Sequence, residues 1–144
     1  MNKVGSALFA LALAVPLMAP NPAAAIGALA VGSTGNVVKD GIAMGDGYNY
    51  DTAQGAIDRA LEECRKQGGA AAQARANCMI VGTFVGQCDS TSLDPAPGTP
   101  GAGWAIAEDK ATADSRALAD CQATAGASRR QFCKVMHSNC DTPK

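Results

Sequence analysis

The sequence predicts an α+β domain in which two tandem strand–strand–helix repeats and a closing strand form one antiparallel sheet, with two helices packed on it and disulfides stapling the chain. Three observations lead to this fold class. A nine-residue helical motif occurs twice, strand-like segments flank each copy, and six cysteines fall into two similar triplets. A length of 144 residues corresponds to one domain, so we expect both repeats to share one fold.

The repeated motif, A-x-x-R-A-L-x-x-C, occupies residues 56–64 and again residues 113–121. In both copies alanine, leucine and cysteine recur at helical spacing, with charged residues between them, which indicates an amphipathic helix. Glycine ends each predicted helix, Gly68–Gly69 the first and Gly126 the second. The match of spacing and composition indicates an internal duplication.

Strand candidates lie on both sides of these helices. Residues 78–88 follow the first helix and residues 132–140 follow the second. Gly47–Tyr48 precedes the first copy of the helical motif by about the same distance as Gly103–Trp104 precedes the second. Within the first repeat, Asp46–Gly47 is a two-residue hairpin signal, which predicts a tight turn between two short strands.

The first 25 residues have the order of a secretory signal peptide. A basic start at Lys3 precedes an apolar run over residues 7–15, and an A-x-A site predicts cleavage after Ala25. Prolines interrupt the apolar stretch well short of the roughly 20 residues that a membrane span needs. We therefore expect an exported protein, periplasmic or extracellular, that has no membrane contact after cleavage.

The remaining chain is expected to have two parts, a flexible leader over residues 26–39 and a single repeat-built domain over residues 40–142. The two units of this domain would cover about 40–88 and 88–142, with residues 88–92 opening the second unit. Only a few aromatic residues are available for the core, and small exported domains of this kind usually depend on disulfides.

Six cysteines allow fifteen pairings, and pseudo-symmetry between the repeats removes most of them. Cys78 and Cys88 would stand at opposite ends of one strand, about 33 Å apart, too far for a disulfide. A local bridge from the end of each helix to the next strand closes a loop of roughly 15 residues. The predicted disulfides are therefore Cys64–Cys78, Cys121–Cys133 and Cys88–Cys140, and the last of these is expected to join the two units.

Together these features resemble the bacterial exported family called domain of unknown function 4189. The residues that carry the resemblance, within about 40–142, are Gly41–Ile42–Ala43, both copies of the helical motif, the strand 78–88, Gly103–Trp104 and Cys133–Cys140. The resemblance implies a secreted, disulfide-linked domain of repeated strand–strand–helix units, and it implies no activity. The chain differs from the family pattern in the polar segment 89–92 and in the proline-rich loop 94–103.

Charge and composition argue against several functional classes. The formal net charge is −1, so the chain has no excess of basic residues of the kind that nucleic-acid-binding proteins show. Cys133, His137 and Cys140 are the best metal candidates, but on a strand Cys140 points away from the other two, and exported thiols tend to be oxidised. Asp40, Asp46 and Asp51 lack the spacing of a calcium loop. We therefore expect no metal and no cofactor.

Tyr48, Tyr50 and Trp104 are prominent in a chain with so few aromatic residues. They are expected either to pack in the core or to form a surface aromatic cluster for a partner. No nucleophile motif such as G-x-S-x-G accompanies the single histidine. The sequence thus predicts a non-enzymatic domain that binds an unidentified protein or envelope component; the alternative is a small secreted hydrolase-type enzyme with a dispersed site involving His137.

Overall fold

The computed structural model describes residues 25–142, so the predicted signal peptide before Ala25 lies outside the described residues. In this range none of the helices is long and apolar enough to cross a membrane. The elements, in chain order, are β1 (Ile26–Gly32), α1 (Val37–Asp40), β2 (Ala43–Tyr50), α2 (Ala53–Lys66), α3 (Ala72–Ala76), β3 (Met79–Val85), β4 (Cys88–Leu93), β5 (Ala102–Ala107), α4 (Lys110–Ala125), a 3₁₀ turn (Arg130–Phe132) and β6 (Lys134–Cys140).

The strands form two antiparallel sheets, with strand orders β2-β1-β3 and β5-β4-β6. The predicted α+β fold class is confirmed, but the prediction of a single sheet is wrong. The segment 78–88, predicted to be one strand, is divided at Gly86, whose φ of 62° turns the chain from β3 into β4. Residues 79–85 of that segment therefore belong to the first sheet, and Cys88 begins a strand of the second.

The sheets pack face to face between the two long helices, in the order α2, first sheet, second sheet, α4. Val31 and Met44 of the first sheet form an apolar cluster with Ala102 of the second. Elsewhere the sheets approach so closely that a Cβ on Gly82 would lie 2.5 Å from Cδ1 of Ile106. In this sandwich β2 lies over β6 and β3 lies over β5.

The two long helices form where the repeated motif predicts them. The Thr52 side chain caps α2 by accepting a hydrogen bond from the Gly55 amide, and Asp109 caps α4 in the same way from Thr112. Each helix turns an alanine stripe and one cysteine toward its sheet. Gly126, with a φ of 78°, follows the last residue of α4.

The prediction of a flexible leader over residues 26–39 is wrong. β1 is the central strand of the first sheet, and six of its seven residues are buried. Ala28 and Ala30 pack toward α2, while Leu29 and Val31 face the second sheet. A strand that is buried on both faces lacks the alternation of polar and apolar residues by which strands are recognised.

The predicted hairpin turn at Asp46–Gly47 is also wrong, because both residues lie in the middle of β2. Gly45 and Gly47 face α2, and a Cβ on Gly45 would lie 2.2 Å from the Cys64 amide nitrogen. A Cβ on Gly47 would lie 2.6 Å from the Ala56 carbonyl oxygen. These glycines allow the helix to approach the strand closely and do not turn the chain.

The internal repeat is present, with different boundaries from those predicted. One unit is β1–β2–α2–β3, and the other is β4–β5–α4–β6, so the units cover 26–85 and 88–140. Residues 88–92 do open the second unit, as predicted, within β4. Each unit places its first strand at the centre of its own sheet.

Helix contacts and strand register align the two units residue by residue. A Cβ added to Gly103 would clash with the Ala117 carbonyl oxygen and the Cys121 amide nitrogen. A Cβ added to Gly45 would clash with the same atoms of Ala60 and Cys64, which hold the equivalent positions in α2. Asp46 therefore corresponds to Trp104, and the predicted equivalence of Tyr48 and Trp104 is wrong. The corresponding cross-strand pairs are Gly27–Phe84 with Asp89–Asn139, and Leu29–Gly82 with Thr91–His137.

All three predicted disulfides are confirmed. Cys64–Cys78 and Cys121–Cys133 are equivalent, and each ties a long helix to the segment before an edge strand. Cys88–Cys140 joins directly paired residues of β4 and β6 within the second unit, so it does not connect the two units as expected. Asp141, which follows β6, does connect the two units, because its carboxylate accepts hydrogen bonds from the backbone amides of Asn49 in β2 and of Gly86.

Candidate functional site

Polar side chains from the two units meet where β2 lies over β6. Asp46 extends from β2, and its carboxylate contacts His137 Nε2 at 3.1 Å and Asn139 Nδ2 at 2.8 Å on β6. The Asp46 side chain is 13% exposed, whereas that of His137 is 51% exposed. A nearly buried carboxylate therefore holds an imidazole that is half exposed to solvent.

This contact sets the orientation of the His137 ring. Because a carboxylate only accepts hydrogen bonds, the pairing with Asp46 assigns the proton of the neutral ring to Nε2. The free lone pair is then on Nδ1. Asn139 Nδ2 also lies close to Nε2, but both atoms carry hydrogen, so the amide is assigned to Asp46 alone. The ring can thus accept a hydrogen bond or a proton at Nδ1.

Two cavities, of about 320 and 420 Å³, lie on either side of the Asp46–His137 pair and share Asp46, Glu63 and His137 as lining residues. We call the combined depression the Asp46–His137 groove. Its further lining residues are Met44, Gly45, Lys66, Gln67, Thr91, Leu93 and Met136 on one side, and Gly47, Tyr48, Tyr50 and Arg59 on the other.

The charges along the α2 wall of the groove are paired with one another. Arg59 lies 2.9 Å from Glu63 and 3.7 Å from Glu62, and Lys66 also binds Glu62. The hydrogen bond from Lys66 lowers the pKa of Glu62. The groove therefore offers hydrogen-bonding groups of both signs and no large excess of charge, which suits a polar ligand of low net charge.

A buried carboxyl group lies directly behind the groove. Asp89, on β4, is fully buried, pairs with Asn139 across the ladder and faces the first sheet. Neither of its carboxylate oxygens has a hydrogen-bond partner among the described residues. Burial above all, and then the negative charge of Asp46, raise the pKa of Asp89 to about 7. This group therefore changes charge near neutral pH.

The three aromatic residues predicted to bind a partner do not form one surface. Tyr48 is 41% exposed and lines the groove. Tyr50 also lines it, but packs against the alanine core beneath α2. Trp104 lies on β5, at the other side of the sandwich. Only the two tyrosines can therefore contact a ligand in the groove.

The side where β3 lies over β5 has the same backbone arrangement as the groove side, but different side chains at the equivalent positions. Trp104 holds the position of Asp46 there, while Gly82 and Phe84 hold those of His137 and Asn139. The Phe84 ring covers Gly27, on which a Cβ would lie 2.1 Å from the ring. The large apolar side chains exposed on this β3/β5 side are Met79, Val81, Val85 and Trp104, and Thr83 is the exposed polar residue of β3.

The residues weighed for metal binding are not brought together. Cys133 and Cys140 are both in disulfides, and Asp46 is the acidic side chain that contacts His137. In residues 25–142 no group of three or more His, Cys, Asp or Glu side chains is arranged to hold a metal ion. Sequence reasoning missed Asp46 as the partner of His137, because Asp46 was assigned to a turn. Alignment of Gly45 with Gly103 would have placed it on a strand.

The proline-rich loop between β4 and β5 is anchored away from the groove. Asp94, nearly buried, accepts hydrogen bonds from the Arg129 guanidinium, which also lies over the Phe132 ring at 4.5 Å. This guanidinium contact is the main reason that the pKa of Asp94 falls to about 2. The loop is thereby fixed to the 3₁₀ turn.

These features define a class of small disulfide-stapled domains, in which two equivalent α+β units form a sandwich with a polar groove at one side. The chain belongs to the family described as Domain of unknown function (DUF4189), whose model matches residues 26–140. The match begins at β1, so the family domain includes the strand that was predicted to be a leader. No curated protein and no solved structure matches the chain.

Proposed function

We propose that this protein is an exported, non-enzymatic domain that binds a protein or an envelope component through the Asp46–His137 groove. The observation that carries the proposal is the groove itself, where the exposed Tyr48 ring lies beside the oriented Asp46 and His137 side chains. An aromatic surface with a few convergent polar groups on rigid strands is typical of ligand sites.

The cysteines and the N-terminal sequence support export. All six cysteines are in disulfides, which persist in oxidising compartments such as the periplasm or the extracellular medium. Residues 1–25 carry the order of a signal peptide. We expect the mature protein to begin after Ala25 and to have no membrane contact once cleaved.

A binding role fits the groove better than a catalytic one. Covalent catalysis by an Asp–His pair needs a hydroxyl or thiol within hydrogen-bond reach of the imidazole. The described residues supply no such side-chain contact to His137, whose hydrogen-bond partner is the Asp46 carboxylate. The paired charges on α2 also suit recognition of a polar surface.

Site-specific photo-cross-linking tests the proposal. Tyr48 is replaced by a photoreactive phenylalanine analogue in the exported protein, and Phe132, which is 46% exposed outside the groove, serves as the matched position. We expect one defined adduct from position 48 and none from position 132. Asp46→Asn should weaken capture about tenfold, since it removes a charge-assisted contact. Equal labelling from both positions would refute groove binding.

The Asp46–His137 pair also favours a second candidate, a small hydrolase-type enzyme. An imidazole held by a carboxylate, with Nδ1 open, can accept a proton from an attacking water. The test is turnover of chromogenic ester, glycoside and phosphate substrates. This candidate expects activity that His137→Gln abolishes and that Phe132→Gln, at an exposed position outside the groove, retains. Such a result would overturn the non-enzymatic proposal.

A further inference from the structure

Within residues 25–142, β3 has one side of its backbone without a partner strand. It pairs with β1 alone and forms an edge of the first sheet. Its seven residues, MIVGTFV, contain no charge and no proline, and Met79, Val81 and Val85 are 65%, 42% and 56% exposed. A free edge of this kind is a template for pairing with another strand.

β6, the equivalent edge strand of the second unit, provides an internal comparison. Both edges have the same ladder irregularity, which falls at Val81 in β3 and at Met136 in β6. The β6 sequence, KVMHSNC, carries Lys134 and His137, and charged or polar side chains are the usual protection of an edge. The two edges therefore share their geometry and differ in their side chains. Only the β3 edge is suited to an uncharged partner strand.

From these observations we infer that two copies of this chain associate by antiparallel pairing of their β3 strands, which joins two three-stranded sheets into one of six strands. With Thr83 opposite Thr83 of the second copy, Val81 faces Val85 across the interface. Apolar and β-branched cross-strand pairs of this kind stabilise antiparallel sheets, and no charge is buried. One patch thus serves both copies, as two-fold symmetry requires.

Trp104 extends the apolar surface beside this edge. It lies on β5 between Ala102, which clusters with Val31, and Ile106, which approaches Gly82. Because Val31 pairs with Met79, Trp104 is opposite the stretch of β3 from Met79 to Gly82. At 36% exposure, part of its indole remains for a second copy to cover.

The proposed dimer is independent of the groove. The groove lies where β2 covers β6, at the other side of the sandwich from β3. Pairing of β3 strands therefore leaves both grooves of the dimer open. Failure of one proposal does not entail failure of the other, because each has its own residues and its own assay.

Sedimentation equilibrium of the purified protein tests the inference, over about 1 µM to about 1 mM. We expect a monomer–dimer equilibrium that Val81→Lys weakens at least tenfold, because the interface would then bury two lysines. Met136→Lys, at the equivalent exposed position of β6, is the matched control and should leave the equilibrium unchanged. Circular dichroism of each variant establishes that it is folded.

Two results would overturn the inference. One is a wild-type protein that stays monomeric over the whole range, and the other is a dimer that survives Val81→Lys. Thr83→Lys supplies a second variant on the same edge if Val81→Lys does not fold. A monomeric wild type that binds a synthetic peptide of residues 79–85, with loss of binding in Val81→Lys, would assign the edge to a foreign strand and refute self-association.

Discussion

Replacement of Asp89 by asparagine tests whether the carboxyl group between the sheets destabilises the fold at neutral pH. The side chain is fully buried, and neither oxygen has a partner among the described residues. Its pKa rises to about 7 in the folded protein, against about 3.9 in an unfolded chain. The folded state thus favours the protonated form. Asparagine has nearly the same shape and is neutral at every pH.

The sign and the size of the effect follow from linkage. When the pKa of an acid is higher in the folded protein than in the unfolded chain, its contribution to the free energy of unfolding is greatest below the unfolded-chain pKa. For Asp89 this contribution is lost as pH rises from about 4 to about 7. Three pKa units at about 1.4 kcal/mol each give a loss of about 4 kcal/mol. At pH 8 we expect Asp89→Asn to be more stable than wild type by about 2–4 kcal/mol, after allowance for the buried amide. At pH 4 the two should agree within about 1 kcal/mol.

Urea denaturation from pH 4 to pH 8, followed by circular dichroism with the disulfides intact, measures both curves. Asp58→Asn, on the exposed face of α2, is the control and should parallel wild type at every pH. The reasoning is refuted if Asp89→Asn follows the wild-type pH profile, or is the less stable protein at pH 8. Either result would mean that the ionised carboxylate has a compensating partner.

Two further predictions concern packing and the anchored loop. Gly103→Ala should cost about 1–3 kcal/mol in urea denaturation, because the new Cβ would lie 2.2 Å from the Ala117 carbonyl oxygen and force α4 away from β5. Arg129→Ala should lower the melting temperature at pH 7. Because the pKa of Asp94 is lowered in the folded protein, its ionised carboxylate stabilises the fold above the pKa of the unfolded chain. This stabilisation is lost as pH falls toward 2. The deficit of Arg129→Ala should therefore shrink in melts at pH 2.

Matched variants distinguish these mechanisms from general damage. Gly68→Ala adds a methyl group where, among the described residues, no atom beyond its chain neighbours lies within 4 Å, and its effect should stay within about 0.5 kcal/mol. Arg130→Ala removes the neighbouring charge, which has no ion pair with Asp94. A deficit of equal size at pH 7 and pH 2 in Arg129→Ala would contradict the role of the ion pair.

The helices and disulfides could be predicted because their signals are local. The periodicity that predicts α2 and α4 lies within single segments, and Cys64–Cys78 and Cys121–Cys133 join residues only 14 and 12 positions apart. The pairing of Cys88 with Cys140 was reached by elimination, and its structural reason is different. These two residues are direct partners on adjacent strands of one unit.

The parts that escaped prediction depend on packing between distant segments. β1 is buried on both faces, so its glycine and alanine residues carry no alternation. Glycine at position 47 fits a tight turn and a close helix contact equally well, and only the approach of Ala56 decides between them. The contact of Asp46 with His137 joins residues 91 positions apart, so it required knowledge of which strand lies over which.

Each side of the sandwich contains one strand from each unit. On one side β2 of the first unit lies over β6 of the second, and on the other side β5 of the second unit lies over β3 of the first. A shorter ancestral chain of one unit could build this architecture only as a homodimer with two identical sides. Fusion of two such subunits into one gene lifts that constraint, because each symmetric position is then encoded separately. Asp46 and Trp104, which hold equivalent positions in the two units, show how different two such sides can become when each is encoded separately.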